Sequence, residues 1–215
     1  MPDVWRAVGT AYRKVHAVRF PSGVTGDVET DRVILRVTDP VSQMHAWIVE
    51  LARGLDALHP EATGLVREMH TLVDQSAQAL TTSATSLLHG DVNMWNILVD
   101  EGAASLIDWD EPRIGDPAKE IVLLDKHAWL FNDSGLDNAF FEGYEARAAE
   151  PNTSLHRVVQ TTRWATSSDW VNFETLPLAP EQLERTGRWK TALRRYVADL
   201  DAHIERLRAI VADTT

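Results

Sequence analysis

The sequence predicts an α+β protein, mainly α, with one small β-hairpin that carries its acidic side chains. Two observations predict this class. Most of the chain spaces its apolar residues three and four apart, as in Trp5, Val8 and Tyr12 or Met44, Ile48 and Leu51, which puts them on one face of a helix. Only the stretch from Leu87 to Glu120, LLHGDVNMWNILVDEGAASLIDWDEPRIGDPAKE, replaces that spacing with short β-branched and apolar runs between turn residues. No internal repeat or low-complexity tract interrupts the pattern.

In chain order, Val4, Trp5, Val8, Tyr12 and Val15 predict an amphipathic helix that ends near His16. Residues 20–26 hold Pro21, Gly23 and Gly26 and read as a breaker-rich loop. The run from Asp31 to Val37 alternates imperfectly and fits either a strand or an extended connector. Asp39 and Pro40 are an N-cap and a first helical residue, and Met44, Trp47, Ile48, Leu51, Leu55 and Leu58 mark the buried face that follows. Pro60 opens another helix through Leu65, Val66, Met69, Leu72, Val73 and Leu80, and a polar TTSATS linker leads to the hairpin.

There, Ser86-Leu87-Leu88 is a short apolar strand, His89-Gly90-Asp91 a turn, Asn96 to Val99 a second strand and Asp100-Glu101-Gly102 a second turn. Ser105-Leu106-Ile107 then runs straight into Asp108. Asp116-Pro117 starts a helix through Ile121, Leu124, Ala128 and Leu130. Further helices are expected over 136–149 (Phe140, Phe141 and Tyr144 inward), over 152–173 with Trp164 and Trp170, and over 180–211 as one long helix or a pair. The result is a single domain: leading helices and a helical insertion at 1–85, the acid-bearing loop and hairpin at 86–120, and C-terminal helices at 121–215.

At 215 residues and 44% hydrophobic, the chain can bury one substantial core. It has no cysteine, which excludes a disulfide framework and any thiolate metal site. Its eight histidines form no HExxH or HxH pattern. The N-terminal segment lacks an apolar signal core and no run is long enough to span a bilayer, so a cytoplasmic protein is expected. A net charge of −11 repels nucleic acid and anionic membranes and favours cationic small molecules, although acidity also serves solubility alone.

Asp91, Asn96 and Asp108 sit at the mouths of short strands, where three oxygen-bearing side chains can converge on one cation and one hydroxyl. HGDVNMWN followed shortly by IDWD resembles the catalytic and metal-binding core of the aminoglycoside phosphotransferase / choline kinase family, which shares its fold with protein kinases. The protein-kinase counterparts are H-R-D-x-x-x-x-N and D-F-G; here Gly90 replaces the arginine and Trp109 follows the second aspartate. The resemblance implies that Asp91 orients the acceptor hydroxyl, that Asn96 and Asp108 hold Mg²⁺, and that the γ-phosphate of ATP passes to a small-molecule hydroxyl. Outside such a motif, Asp91 would be a turn aspartate and Asn96 a cap.

Supporting roles are expected at His89, which would tie the loop to neighbouring backbone, and at Asp116, an N-cap in a G-D-P context. Asp110 and Glu111 either extend the acidic site or are solvated turn charges. Trp95 and Trp109 either pack or stack on a substrate ring. The triplet Asp108-Trp109-Asp110 also resembles the DxD of metal-dependent glycosyltransferases, over three residues only. Asp169, Glu174, Glu181 and Glu184 could meet cationic substrate groups, but exposed acids on helices need no such role.

The resemblance runs along nearly the whole chain but covers only the large C-terminal lobe of a kinase. No GxGxxG occurs among the 11 glycines, and Lys14 is the sole lysine before the motif. The nucleotide-covering N-terminal β-lobe is therefore expected to be absent, leaving the nucleotide-binding residues unassigned. That lobe would come from a separate polypeptide or a longer parent gene, and the bare surface would favour a homo-oligomer or pairing with a second chain. The alternatives are a truncated, non-catalytic member that binds a small molecule or a protein, and a truncated reading frame.

Overall fold

Apolar residues at Trp5, Val8 and Tyr12 bury one face of the first helix, α1 (Pro2–His16), and its last turn carries Arg13, Lys14 and His16 against the negative end of the helix dipole. The computed structural model describes residues 2–58, 63–132, 134–146, 150–166 and 200–214. After α1 come three strands, β1 (Arg19–Phe20), β2 (Val24–Val28) and β3 (Val33–Val37), and then α2 (Pro40–Leu58). The Asp39 carboxylate caps α2 by accepting from Ser42 N at 3.1 Å and from the Ser42 hydroxyl at 2.5 Å. The Ser42 hydroxyl, then its N–H, holds that carboxyl below its usual range.

Two more helices, α3 (Thr63–Gln75) and α4 (Ala77–Thr82), lead to β4 (Thr85–Leu88). A short 3-10 turn (Met94–Asn96) precedes the hairpin β5 (Ile97–Asp100) and β6 (Ala103–Leu106), followed by β7 (Arg113–Gly115). The hairpin closes through Glu101 and Gly102 at φ +45° and +79°, the paired left-handed conformations of a two-residue turn that matches strand twist. Four described helices complete the chain: α5 (Pro117–Asn132), α6 (Asn138–Tyr144), α7 (Pro151–Thr166) and α8 (Leu200–Thr214).

The class is as expected, and the β content is larger than a single hairpin. A five-stranded sheet runs in the order β1-β4-β7-β2-β3, with each adjacent pair antiparallel, beside the separate β5–β6 hairpin. Residues 20–26, which read as a loop, supply parts of β1 and β2, and of the two readings of residues 31–37 the strand is the one formed, over Val33–Val37. Periodicity misses β2 because it holds Gly26 at its centre, and its partners are β3 along its whole length and Ile114 and Arg113 far along the chain. The helix over 136–149 shortens to α6, capped by the Asp137 carboxylate on Ala139 N. Trp170 and the acids at 169, 174, 181 and 184 lie outside the described residues, as does most of the helix at 180–211.

Two apolar clusters form. One joins α2, α3, α7 and α8 through Met44, Ile48, Met69, Leu72, Leu155, Val158, Ile204 and Leu207. The other gathers Trp5, Val8 and Tyr12 of α1 with Val92, Ile121, Leu124 and Phe140, with Ile97 and Leu106 of the hairpin packed against it. The acid-bearing turn thus rests on the second cluster through Val92.

Within that cluster α1 and α6 touch backbone to backbone. A Cβ at Gly9 would collide with the Phe140 carbonyl oxygen, and one at Gly143 with the Arg6 carbonyl oxygen. Phe140 stacks on Tyr144, one turn along α6, at 5.8 Å, and the close approach of the helices lets it meet Tyr12 at 6.4 Å. Gly9→Ala is therefore expected to cost about 1–3 kcal/mol, the range for overpacking, and to lower the urea midpoint. Gly64→Ala, where a Cβ meets nothing within 4 Å, is the control and should cost nothing. Equal midpoints for the two variants would refute the contact.

Candidate active site around the Asp91 turn

The turn leaves β4 at His89 and reverses at Gly90, whose φ is +90°. A side chain there is blocked twice, by that conformation and by the Glu111 carbonyl oxygen, on which a Cβ would fall. This is the physical reason for glycine at the position. Asp91 follows, exposed, and its Oδ2 accepts from Asn96 Nδ2 at 2.8 Å and Asn93 Nδ2 at 3.1 Å. Asn93 Oδ1 caps the 3-10 turn by accepting from Trp95 N at 2.9 Å and Asn96 N at 3.1 Å.

Asn96 is buried and donates again to the Asp91 carbonyl at 3.1 Å. With its NH₂ committed to Asp91, its Oδ1 is the end available to a cation. The Asn96 carbonyl accepts from Ile107 N at 3.0 Å, so the backbone beside Asp108 is tied to Asn96. Asp108 is exposed and held at φ +63°, a conformation that costs a non-glycine residue about 1–3 kcal/mol. His89 is buried, with Nδ1 3.0 Å from the Asp91 carbonyl and Nε2 2.8 Å from the Ile107 carbonyl, and Trp109 lies 4.6 Å from it ring to ring. His89, Asp91, Asn96 and Asp108 therefore form one constellation.

Of the remaining expected residues, Trp109 touches this constellation through His89, and Glu111 and Asp116 are engaged elsewhere. Asp110 is exposed, and Glu111 pairs with Arg113 at 2.8 Å. Asp116 caps α5 through Ala118 N at 2.9 Å and reaches α7, where its Oδ2 meets Asn152 Nδ2 at 3.2 Å and His156 Nε2 at 3.1 Å. Burial alone would raise the Asp116 carboxyl; the His156 imidazole, Ala118 N–H and Asn152 together outweigh it and hold the group below the usual range. Trp95 is largely exposed, and Trp109 is anchored by its indole N–H to the Leu106 carbonyl at 2.9 Å.

Sequence reasoning missed the groups that hold the turn from below. Glu120, buried on α5, accepts from Gly90 N at 2.9 Å, His89 N at 3.2 Å and His16 Nε2 at 2.7 Å. With Nε2–H donating to Glu120, His16 Nδ1 accepts from the Tyr144 hydroxyl at 2.7 Å. Burial, then the negative charges of Glu120 and Asp91, push the nearby Tyr12 hydroxyl up. One signal was available: Glu120 is an acid set among the apolar positions Ala118, Ile121 and Val122 of one helix.

Two oxygen donors, a neutral amide and a carboxylate, suit Mg²⁺, which keeps several waters and takes its remaining ligands from substrate phosphates. Among the described residues no group of three or more His, Cys, Asp or Glu could hold a metal ion. The same residues include no helix long and apolar enough to cross a membrane.

The α+β fold and this loop together define a kinase-like phosphotransferase scaffold. The chain belongs to the phosphotransferase enzyme family (APH), whose sequence profile matches residues 2–160. Among solved structures it resembles a choline/ethanolamine kinase family protein from Mesorhizobium loti, with 14% identity, a TM-score of 0.57, and coverage of 95% of this chain and 65% of that one. It also resembles APH(2″)-IIa in its streptomycin–ATP ternary complex, at 14% identity, a TM-score of 0.50, and 95% and 64% coverage. The chain thus spans just under two-thirds of the length of these structures. No curated protein matches it in sequence.

Glu120→Ala leaves two backbone N–H groups and His16 without their acceptor, so a loss of about 2–4 kcal/mol is expected. Amide exchange at His89 and Gly90 should accelerate more than at Leu124; unchanged exchange at the turn would rule out the anchoring role. A second expectation concerns Lys126 on α5, which burial, then Arg163, lowers from 10.5 to about 7. Between pH 7 and 10.5 the unfolded chain binds a proton at Lys126 that the folded chain does not, so stability from this group rises with pH across that window. Lys126→Met should flatten this slope in urea titrations at pH 7 and 9; an unaltered slope would count against it.

Proposed function

We propose that the chain is the large lobe of a small-molecule kinase that transfers the γ-phosphate of ATP to a hydroxyl. The observation that carries this reading is the junction of Asp91, Asn96 and Ile107, which sets a carboxylate for the acceptor beside an amide oxygen and Asp108 for a cation. Phosphoryl transfer asks for in-line placement and charge neutralisation more than for covalent catalysis. Both amide donors engage Asp91 Oδ2, so Oδ1 is the oxygen that accepts the substrate O–H, aligns it and takes its proton. Asn96 Oδ1 and Asp108 would hold Mg²⁺, which supplies charge neutralisation at the phosphates. His89 and Glu120 act through the backbone, fixing where Asp91 points.

Trp95, Leu98, Val99, Ile107 and Trp109 leave a large apolar area exposed around the hairpin. We place the nucleotide-covering lobe on this face, supplied by a longer parent chain or a separate polypeptide; a second copy of the chain would cover it otherwise. A second reading, a binding module without transfer, is favoured by one observation. Lys14, the sole lysine before the motif, is exposed in the last turn of α1 rather than on a strand.

Calorimetric titration with Mg²⁺ and a non-hydrolysable ATP analogue tests the proposal. Binding is expected to disappear in Asp108→Ala and to survive in Asp91→Asn, which should lose transfer by at least about a hundredfold, as expected for a positioned acid–base group. Binding indifferent to Asp108, or turnover indifferent to Asp91, would overturn it.

A further inference from the structure

Between one face of the five-stranded sheet and α2 lies a cavity of about 280 Å³, lined on its apolar side by Met44, Leu88 and Ile114. Its polar lining is positively charged in an otherwise acidic protein. Arg36, Arg113 and His156 already have partners: Asp27 at 2.6 Å, Glu111 at 2.8 Å and Asp116 at 3.1 Å. Those pairings also occupy the two carboxylates that line the cavity, Asp27 and Asp116. Lys119 differs. It is half-buried, its ammonium lies 5.4 Å from the Trp47 ring centroid, and among the described residues no hydrogen bond or ion pair holds it, Glu120 acting on it through charge alone.

Burial, then Arg163 and Arg113, lower the Lys119 ammonium against the smaller opposing charge of Glu120, so positive charge outweighs negative around it. His156, 1% exposed, lines the same cavity with an Nδ1 that has no partner among the described residues. Leu88 and Arg113 are cross-strand partners at the end of the sheet from which the Asp91 turn departs. Leu88 is three residues from Asp91, at most about 10 Å of extended chain.

We propose that this cavity receives the carboxylate of the phosphate acceptor on Lys119, so that the substrate is a small hydroxy acid rather than a polycationic sugar. One unpaired ammonium matches one negative charge, whereas a doubly charged phosphate would require Arg36 or Arg113 to leave its carboxylate. The net charge of −11 favours a cationic acceptor, but a contact inside a half-buried cavity outweighs a field screened over about 8–10 Å. This inference rests on the phosphotransfer reading. The acceptor oxygen bonds to the γ-phosphorus, the bond from that phosphorus to the β–γ bridging oxygen breaks, ADP leaves with the electron pair, and the hydroxyl proton passes to Asp91.

Calorimetry without nucleotide separates the two readings. The probes are 4-hydroxybutyrate and gluconate, each against its primary amide, with glycerol 3-phosphate and kanamycin as phosphate and polycation arms. Each acid should bind about tenfold or more tighter than its amide, as one charge-assisted contact predicts. Lys119→Met should erase that preference and Lys119→Arg should retain it, the latter reporting that the fold survives. No acid binding at the highest soluble concentration, equal binding of acid and amide, or preference for the phosphate or the polycation would each overturn the inference. Acid binding that depends on Lys119, without transfer when ATP and Mg²⁺ are added, would keep the carboxylate site and refute the phosphotransfer reading. Transfer to neutral hydroxyls that ignores Lys119 would do the reverse.

Discussion

A single buried carboxylate holds the site together. Glu120 receives two backbone N–H groups of the Asp91 turn and the ring of His16, so one side chain joins α5, the turn and α1. A buried anion is costly unless its oxygens are occupied, and each contact here does that while fixing a different element. The Gly90 reversal then follows. The chain must turn sharply enough to offer successive N–H groups to one carboxylate and pass close to the Glu111 carbonyl, which leaves room for hydrogen alone.

From that anchor the site is built outward through backbone. The His89 ring spans the carbonyls on either side of the acid pair, at Asp91 and Ile107, and Asn96 is sewn to both neighbours. None of these links uses the outward faces of Asp91 or Asp108, which stay exposed. The strained φ of Asp108 fits this division. A loop tied on both sides can hold one residue in a sparsely populated conformation, and the side chain so presented is the one the chemistry needs.

Much of this was legible beforehand, and the parts that were not share a cause. Helices α1, α2 and α5 announce themselves by apolar spacing and by Asp39-Pro40 and Asp116-Pro117 at their starts, which are local signals. Asp91, Asn96 and Asp108 stand out because their spacing is also local. The wider sheet was hidden because β1 and β7 are two and three residues long and are strands only through partners elsewhere in the chain. Glu120, His16 and Tyr144 were hidden for the same reason: their meaning lies in contacts across 104 and 128 positions of sequence. Lys119 and Trp47 are likewise ordinary helix residues until α2 and α5 are brought to one cavity.

The glycine-to-backbone crossing of α1 and α6 also bears on how the chain is made. Helix α1 leaves the ribosome well before its docking partners Phe140 and Gly143, which follow more than a hundred residues later. At roughly 5–20 residues per second this leaves the faces of Trp5, Val8 and Tyr12 uncovered for on the order of ten seconds. Because the contact joins distant segments, loop closure delays it further. Until the chain beyond Tyr144 has appeared, the helix that ends in the Glu120 partner, His16, presents its apolar face without the α6 side of its cover.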